Sequence, residues 1–435
     1  MRKLLLSMAA LPLVIGGLSV NASADDGINI LDNFKVKGQI RPRFENVDDG
    51  TTNADANAYT VRTKLAVTAD LLGVNGLSAT VGVISVNNLG SHEYNGADGN
   101  VYTDGTNSYA TVADPQKAMI SNAEINYTIK DTTLHAGRGQ VNLDNQRFIG
   151  TVGWRQLERS YDSVFVANNS IKNLSVLVAW VYGLEGVKNL PNNNTIYGEN
   201  TYDTNTVLLH AAYSVMPELK ITAYDYMIAS VSDTYGIALT GNINAGPAKL
   251  NYRAEYAQQS DATMEIHTQT PTTGQANADY INLDLGANIN GILVGVNYEF
   301  LSGTTGTDGN TAFSTPLATG HKFNGWADTF LTTPSGGLQD ANVRLGYKAK
   351  GVGKLLAVYH DFTADKNMAT TTGTSNDLGS EIDVVYVNKI PGVNGLKGML
   401  KYANYSKGAN MTGFAGVTHD TTKFWAMLDY KFSTK

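Results

Sequence analysis

The chain has no cysteine, only ten prolines among 435 residues, and few charged residues. The absence of cysteine excludes a disulfide scaffold, a thiolate zinc site and a cysteine nucleophile. The scarcity of proline excludes collagen-like and proline-rich disordered chains. Charged residues make up 16% of the chain, whereas about a quarter is typical of a soluble domain. The formal net charge of −7 argues against nucleic acid as a partner, because its binders carry a basic surplus.

The longest apolar run lies at the N-terminus and has the form of a secretory signal. Two basic residues precede the apolar run at 4–20, and small residues follow it at 22–24. We therefore expect residues 1–24 to be a cleaved signal peptide and residues 25–435 to be one exported domain. A membrane anchor is the alternative, which the early end of the run disfavours. Beyond the signal no stretch approaches the roughly 18 apolar residues of a membrane helix, so any membrane role must use strands.

Most of the remaining chain alternates between apolar and polar residues with a period of two. From Phe34 onward, apolar residues such as Val36 and Ile40 occupy even positions and polar residues occupy odd ones. Strict alternation of this kind predicts a strand with one apolar and one polar face. The segments are about 9–13 residues long, enough for a tilted strand to cross a bilayer. Further examples lie at 59–71, 249–256, 292–300, 342–348 and 423–432.

The connections between these segments alternate between long and short. Long polar gaps lie at 46–57, 89–117, 140–160, 185–204, 260–277, 302–339, 365–377 and 407–420. Short turns lie at 73–76, 130–132, 168–170, 216–218, 288–291, 350–353 and 391–395. One connection on the long-loop side, near 230–233, is short and breaks the rule. Long loops on one side and tight turns on the other are typical of bacterial outer-membrane barrels.

These patterns together predict an all-β fold, a transmembrane antiparallel up-and-down β-barrel. We expect about 18 strands, with about 16 as the other possible count, short periplasmic turns and long extracellular loops. An even number of strands brings both termini to the periplasm and lets the first strand pair with the last. A large soluble sandwich or a propeller is the alternative, but it explains neither the strand length nor the asymmetry of the loops.

Several segments resemble the alginate-export group of outer-membrane barrels, which includes many porin-like members. The segments are GRGQVNLDNQRFIG at 137–150, FSTPLATGHKFNGWADTFL at 313–331 and YHDF at 359–362. The resemblance implies an 18-strand barrel with a water-filled, arginine-lined pore. Two features depart from that group. The pore charges are mixed, and the chain ends in Lys435 rather than on an aromatic residue that the insertion machinery reads, so Phe432 would have to serve from a set-back position.

Charged side chains on the inward phase of the strands are the candidate pore lining, because such charges set the ion selectivity of a channel. The alternative is that opposite charges pair across strands, as a polar lumen requires. The candidates are Arg41, Arg43, Arg62, Lys64, Arg138, Arg147, Arg155, Arg253, Glu255, Arg344, Lys348, Glu381 and Asp383. The clustered arginines predict a weak preference for anions.

The segment 302–339 is too long for an ordinary connection, and such loops are usually functional. Its core, Gly325-Trp326-Ala327-Asp328, contains large apolar groups, which favours a packed conformation. We expect it to fold inward or cap the mouth, and a packed extracellular loop is the alternative. The candidate constriction residues are His321, Lys322, Trp326 and Asp328.

The predicted function is an outer-membrane porin for passive diffusion of small hydrophilic solutes or ions. An exporter of an anionic, alginate-like polysaccharide and a surface adhesin built on a barrel are the alternatives. The expected location is the outer membrane of a Gram-negative bacterium. The expected partners are the lipid bilayer, lipopolysaccharide, the solutes and the barrel-insertion machinery. A monomer is favoured over a trimer.

The sequence offers little for an enzyme, a metal site or a cofactor. The seven histidines are scattered, and none has metal-ligand spacing. His360 and Asp361 form the only suggestive pair, but adjacent residues of a strand point to opposite faces. We therefore expect no catalytic residues, no bound metal and no cofactor.

Overall fold

The computed structural model describes residues 30–90, 93–97, 101–102, 108–187, 203–264, 277–305, 310–412 and 417–434. The predicted signal peptide at 1–24 lies outside these residues. In the described part of the chain no helix is long and apolar enough to cross a membrane. The strands found there are β1 (Leu31–Asp48), β2 (Ala56–Leu71), β3 (Leu77–Asn88), β4 (Tyr94–Asn95), β5 (Val101–Tyr102), β6 (Lys117–Ile129), β7 (Thr132–Gly139), β8 (Ser160–Asn168), β9 (Leu174–Glu185), β10 (Asp203–Met216), β11 (Leu219–Ile228), β12 (Ser232–Ala245), β13 (Ala248–Ser260), β14 (Ala278–Ile289), β15 (Ile292–Leu301), β16 (Leu338–Ala349), β17 (Gly353–Thr370), β18 (Gly373–Lys389), β19 (Leu396–Ser406) and β20 (Thr421–Ser433).

All these strands except β4 and β5 form one 18-stranded sheet that closes on itself. Each strand pairs antiparallel with its neighbour in the chain, and β1 pairs with both β2 and β20. At the seam, Phe44 lies opposite Tyr59 on one side and opposite Ala426 on the other. The short β4–β5 hairpin lies in the connection between β3 and β6. The prediction of an antiparallel barrel of about 18 strands is confirmed.

The two faces of the wall differ as the period-two pattern predicts. Outward side chains are apolar and exposed, as shown by Val81 and Leu345, which are 60% and 62% exposed. Inward side chains are polar and buried, as shown by Arg41 and Arg43, which are 7% and 3% exposed. An apolar outer belt around a polar interior matches the hydrocarbon layer outside and water inside. The low charge content follows, because only half of each strand lies on the polar side.

The connections at the two ends of the barrel differ in length. At the end that holds both described chain termini, the turns lie at 72–76, 130–131, 169–173, 217–218, 246–247, 290–291, 350–352 and 390–395. We call this the short-turn end. At the opposite, long-loop end the connections include 49–55, 89–116, 140–159, 302–337 and 407–420. The predicted exception near 230–233 is present, because β11 ends at Ile228 and β12 begins at Ser232.

The predicted long gap at 365–377 is wrong. Strands β17 and β18 continue into it as a hairpin and are joined through residues 371–372. Met368 and Leu378 are buried in this extension, and Met368 pairs with Ser375. The polar residues between these two apolar residues made the segment look like a loop, whereas strand pairing resumes at Met368 after a register shift that follows Thr363. For the same reason β17 reaches 18 residues, longer than the predicted 9–13.

Candidate functional site

Two long connections fold far into the barrel, and Asp114 of the connection 89–116 also reaches the inward face, where it pairs with Arg43 of β1. Loop A comprises residues 140–159, and loop B comprises residues 302–337, of which 306–309 lie outside the described part. Arg155 of loop A contacts Glu45 on the inward face of β1, and the backbone N–H of Trp326 in loop B donates to Asp383 on the inward face of β18. These contacts place both loops inside the wall. Their packing against the wall is the candidate functional site.

Aromatic side chains hold both loops against the wall. Phe148 of loop A packs with its ring centroid 5.3 Å from that of Tyr224 on β11 and 5.2 Å from that of Tyr280 on β14. Phe330 of loop B packs 4.5 Å from Phe362 on β17. Burying one such side chain contributes about 1.5–3 kcal/mol. The loops are therefore fixed parts of the lumen with their own apolar core.

The turn that contains Gly325 brings the loop B backbone against two carboxylates. Gly325 has φ +83°, and a side chain there would collide with Glu381 on β18. The next two residues donate their backbone N–H groups, Trp326 to Asp383 at 3.1 Å and Ala327 to Glu381 at 2.7 Å. Glycine is required here both by the positive φ and by the close approach. The predicted pore carboxylates Glu381 and Asp383 thus bind loop B.

Lys401, which points inward from β19, lies in a cage of aromatic rings. Its Nζ is 4.3 Å from the ring centroid of Trp154, 3.8 Å from that of Trp326 and 5.3 Å from that of Trp425. It also donates a hydrogen bond of 2.7 Å to Nε2 of His321. The cage joins loop A, loop B and the wall, because Trp154 belongs to loop A, Trp326 to loop B and Trp425 to β20. A desolvated cation over an aromatic face contributes about 2 kcal/mol.

Asp328 of loop B is the second centre of this arrangement. It accepts from His321 Nδ1 at 2.6 Å, from Arg155 at 2.6 Å and from Lys423 of β20 at 3.1 Å. Burial opposes ionisation of Asp328, but the hydrogen bond from His321 and the charges of Lys423 and Arg155 outweigh it and hold its pKa well below the usual range. Burial lowers the pKa of His321 to about 3. His321 is therefore neutral, donating through Nδ1 and accepting from Lys401 through Nε2.

The predicted basic residues on β1 and β2 are bound to loop A. Arg62 contacts Glu158 at 2.6 Å, and Lys64 contacts the same carboxylate. Arg41 and Arg43 each donate at 2.9 Å to loop A carbonyl oxygens, those of Gly153 and Trp154 respectively. Arg43 also pairs with Asp114 and with Glu45. On the far side Arg147 of loop A lies 2.9 Å from Glu299 of β15. These charges connect the wall to the loops.

Other predicted residues lie elsewhere in the lumen and pair locally. Arg138 forms a two-pronged contact of 2.7 Å with Asp162 on β8. Arg253 and Glu255 of β13 pair with each other at 2.7 Å. Arg344 of β16 pairs with Asp284 of β14 at 2.7 Å. Lys348 is exposed on β16 towards the short-turn end, with no carboxylate within 4.0 Å among the described residues.

A cavity of about 360 Å³ lies between loop B and the inward face of β13–β17. Lys322 and Asn324 of loop B line one side, and Asn282, Asn342 and Arg344 line the wall. Lys322 is exposed and donates at 2.8 Å to the carbonyl oxygen of Asn145, and no described carboxylate lies within 4.0 Å of it. Partial desolvation by the surrounding protein and the charge of Arg253 lower the pKa of Lys322. The cavity is thus polar and carries one cation that has no ion-pair partner in the described structure.

Sequence reasoning missed several residues of the packed region, among them Trp154, Lys401, Lys423 and Trp425. Trp425 carried a usable signal, because it is a large apolar residue on the polar, inward phase of β20. A tryptophan there indicates a lumen that is filled at that level. Lys401 carried no such signal, since a lysine on the inward phase is ordinary. Within the described residues no three His, Asp or Glu side chains are grouped so that they could hold a metal ion.

Comparisons with solved structures place the fold among bacterial barrels. Pseudomonas aeruginosa OccK8 (OprE) aligns with a TM-score of 0.68 and 14% identity, over 93% of this chain and 99% of that one. Acinetobacter baumannii OccAB4 aligns with a TM-score of 0.70 and 14% identity, over the same shares. The outer membrane protein opdK from Pseudomonas aeruginosa aligns with a TM-score of 0.67 and 11% identity, over 92% of this chain and 99% of that one. These alignments establish a shared fold.

No protein-family model matches the chain. A search of curated proteins also finds no match. The alginate-export resemblance seen in the sequence therefore has no support from the family scan, whereas the barrel architecture has support from the solved structures.

Proposed function

We propose that the protein is an outer-membrane porin through which small hydrophilic solutes or ions diffuse passively. The main support is the polar lumen. Loops A and B narrow it, but a cavity remains open beside β13–β17. The apolar outer belt fits a bilayer, and one structural neighbour, opdK, is described as an outer membrane protein. The short-turn end would face the periplasm and the long-loop end the exterior.

We propose a weak preference for anions, and the pairing pattern supports it. The arginines that first suggested a basic lining are matched with carboxylates, as Arg62 is with Glu158 and Arg344 with Asp284. Matched pairs have little net field at a distance, so they add little selectivity. Lys322 in the cavity and Lys348 nearer the short-turn end have no described carboxylate within 4.0 Å. Their fields give the lumen on this side a modest positive bias.

An exporter of an anionic polysaccharide is the second candidate function. The segments that resemble the alginate-export group, 137–150 and 313–331, fall largely within loop A and loop B. An extended polymer would need both loops to leave the lumen, because they fill it beside the cage of Lys401. The packing therefore favours small solutes. A surface adhesin is the third candidate function. It would bind its partner through the long loops, and the barrel would not conduct.

The proposed partners follow from the barrel. The apolar belt would contact lipid, with lipopolysaccharide in the outer leaflet, and Phe432 of β20, 41% exposed, would be read by the insertion machinery. We propose a monomer, which cross-linking of the protein in native membranes would test. A ladder ending at three subunits would overturn that part.

Single-channel recording in planar bilayers tests the proposed function. We expect stepwise conductance in potassium chloride and a reversal potential displaced towards the anion in a salt gradient. Liposome swelling with sugars of graded size measures the size limit. Absence of conductance from an inserted, folded barrel would overturn the channel proposal, and clear cation selectivity would overturn the anion preference.

A further inference from the structure

The cavity between loop B and β13–β17 is lined by an unusual number of asparagines. Four lie on the inward faces of successive wall strands, namely Asn251 on β13, Asn282 on β14, Asn297 on β15 and Asn342 on β16. Asn297 and Asn342 are paired in the ladder, and their side-chain amides are 3.3 Å apart. Amides therefore cover the wall of the cavity from β13 to β16.

Two of these amides have no partner within the described structure. Asn251 is exposed to the lumen, and Asn282 is only 6% exposed, yet neither forms a side-chain hydrogen bond with a described residue. Amide groups without a protein partner usually meet water or a ligand in native proteins. Asn282 lines the cavity. A molecule in the cavity can therefore supply its hydrogen bonds.

The charges around the amides are largely neutralised by one another. Arg253 pairs with Glu255, and Arg344 pairs with Asp284, both at 2.7 Å. His360 lies 2.8 Å from Asp340. The exception is Lys322, which lies on the opposite side of the cavity and bonds a carbonyl oxygen. The net charge of the recognition surface is thus small, and the surface offers donors and acceptors together.

This surface matches hydroxyl groups better than it matches ions. An amide has two donors and an acceptor oxygen, whereas a hydroxyl has one donor and two acceptor lone pairs, so neighbouring hydroxyls can use both sides of each amide. A carboxylate uses only the donors and an ammonium only the acceptors. The volume of about 360 Å³ is at the small end of ligand pockets, which span roughly 300–1,000 Å³.

We propose that this cavity is a subsite for polyhydroxylated solutes of monosaccharide size, with Asn251 and Asn282 as its main hydrogen-bonding groups. The proposal deepens the proposed porin function and rests on it. The shared chemistry is a row of neighbouring hydroxyls, as in a neutral sugar or a sugar acid. Lys322 would add attraction for the acidic group of the latter.

The test compares wild type with the double variant Asn251→Leu/Asn282→Leu, which keeps side-chain size and removes the amides. Liposome swelling is measured with xylose and with triethylene glycol, which is of similar mass but has only two hydroxyls. We expect wild type to favour xylose and the double variant to lose that preference by about threefold to tenfold, as one or two hydrogen bonds predict. Asn244→Leu, on β12 near the short-turn end, is the matched control and should keep the preference.

Potassium chloride conductance separates this proposal from the porin proposal. If salt conductance is present in both proteins but the xylose preference is absent or unchanged by the variant, the subsite is overturned and the porin stands. If wild type conducts no salt, the porin itself fails. Should the double variant not insert, Asn251→Leu alone replaces it, because Asn251 is exposed and contributes little to folding.

Block of the single-channel current distinguishes the two kinds of solute, the neutral sugar and the sugar acid. Block by both xylose and xylonate supports the hydroxyl row, and stronger block by xylonate assigns the difference to Lys322. Block by xylonate with none by xylose would overturn the proposal, because charge alone would then account for binding.

Discussion

Two lysines in the same lumen have opposite surroundings. Lys401 is 6% exposed and lies among three tryptophans and His321, while Lys322 is exposed, donates to one carbonyl oxygen and lies 5.7 Å from the ring centroid of Phe323. Lys401 belongs to the packed region, where loops A and B meet the wall. Lys322 belongs to the open side, the cavity beside β13–β17. A charge on the inward phase of a strand therefore does not define a role by itself. Its contacts decide whether it stabilises the packed loops or faces solute in the cavity.

The largest expected effect comes from removing most of the packed region. Deletion of residues 315–332 takes away the residues of loop B that contact Lys401, Glu381 and Lys423. We expect a roughly severalfold rise in single-channel conductance, because an obstructed cross-section becomes open to ions. The measurement is conductance in potassium chloride after confirming barrel formation. An unchanged value would mean that loop B does not narrow the conduction path.

Replacing the caged lysine separates the two lysines directly. Lys401→Met keeps length but removes the cation from its aromatic and histidine contacts, which should destabilise the packing of loop B by about 2 kcal/mol, the contribution of a desolvated cation over aromatic rings. We expect faster proteolysis within loop B and fluctuating conductance. Lys322→Met is the matched control and should leave proteolysis unchanged. Equal behaviour of the two variants would remove the distinction between the packed region and the open side.

Acid should loosen the packed region through His321. Its pKa of about 3 in the packed loop lies below the ordinary value near 6.5. Between these two pH values, the His321 imidazole is neutral in the packed loop but takes up a proton when the loop is released. The packing is fully stable above about pH 6.5 and loses up to about 1.4 kcal/mol for each pH unit below that value. We expect conductance to rise between pH 6.5 and pH 4. His321→Gln should flatten this rise, and a profile unchanged by that substitution would contradict the assignment.

The smallest effect is expected on the open side. Lys322→Gln removes one unpaired charge, which attracts an anion and repels a cation by about 0.4 kcal/mol each at about 10 Å in water, and should reduce the anion-to-cation permeability ratio about fourfold at low salt. The reversal potential in a salt gradient measures the change. Lys366→Gln is the control. The Nζ of Lys366 lies 3.1 Å from a carboxylate oxygen of Asp365 at the long-loop end, so this substitution should leave the permeability ratio unchanged. A similar shift in both variants would show that selectivity comes from the overall charge.

The barrel could be predicted from sequence because its determinants are local. Alternation places Ile40 and Phe44 outward and Arg41 and Arg43 inward, and turn composition marks where strands end. The hairpin at 363–378 was missed because two buried apolar residues are separated by polar ones. The local sequence pattern therefore predicts the barrel architecture but does not determine where each strand ends.

The inner site could be predicted only in part, because its contacts join distant residues. Trp326 indicated a packed loop, but its neighbour in the lumen, Lys401, belongs to another element 75 positions later by residue number. Arg155 meets Glu45 across 110 positions, and His321 meets Lys401 across 80. Which inward charges pair depends on how the loops cross the lumen. No periodic pattern in the sequence predicts the path of these loops.

A salt-gradient recording of single wild-type channels decides whether the lumen carries a net positive charge, because the reversal potential reports the charges that remain unpaired inside the barrel. We expect stepwise conductance with a small reversal potential towards the anion. Clear cation selectivity, or a folded barrel that conducts nothing, would contradict it.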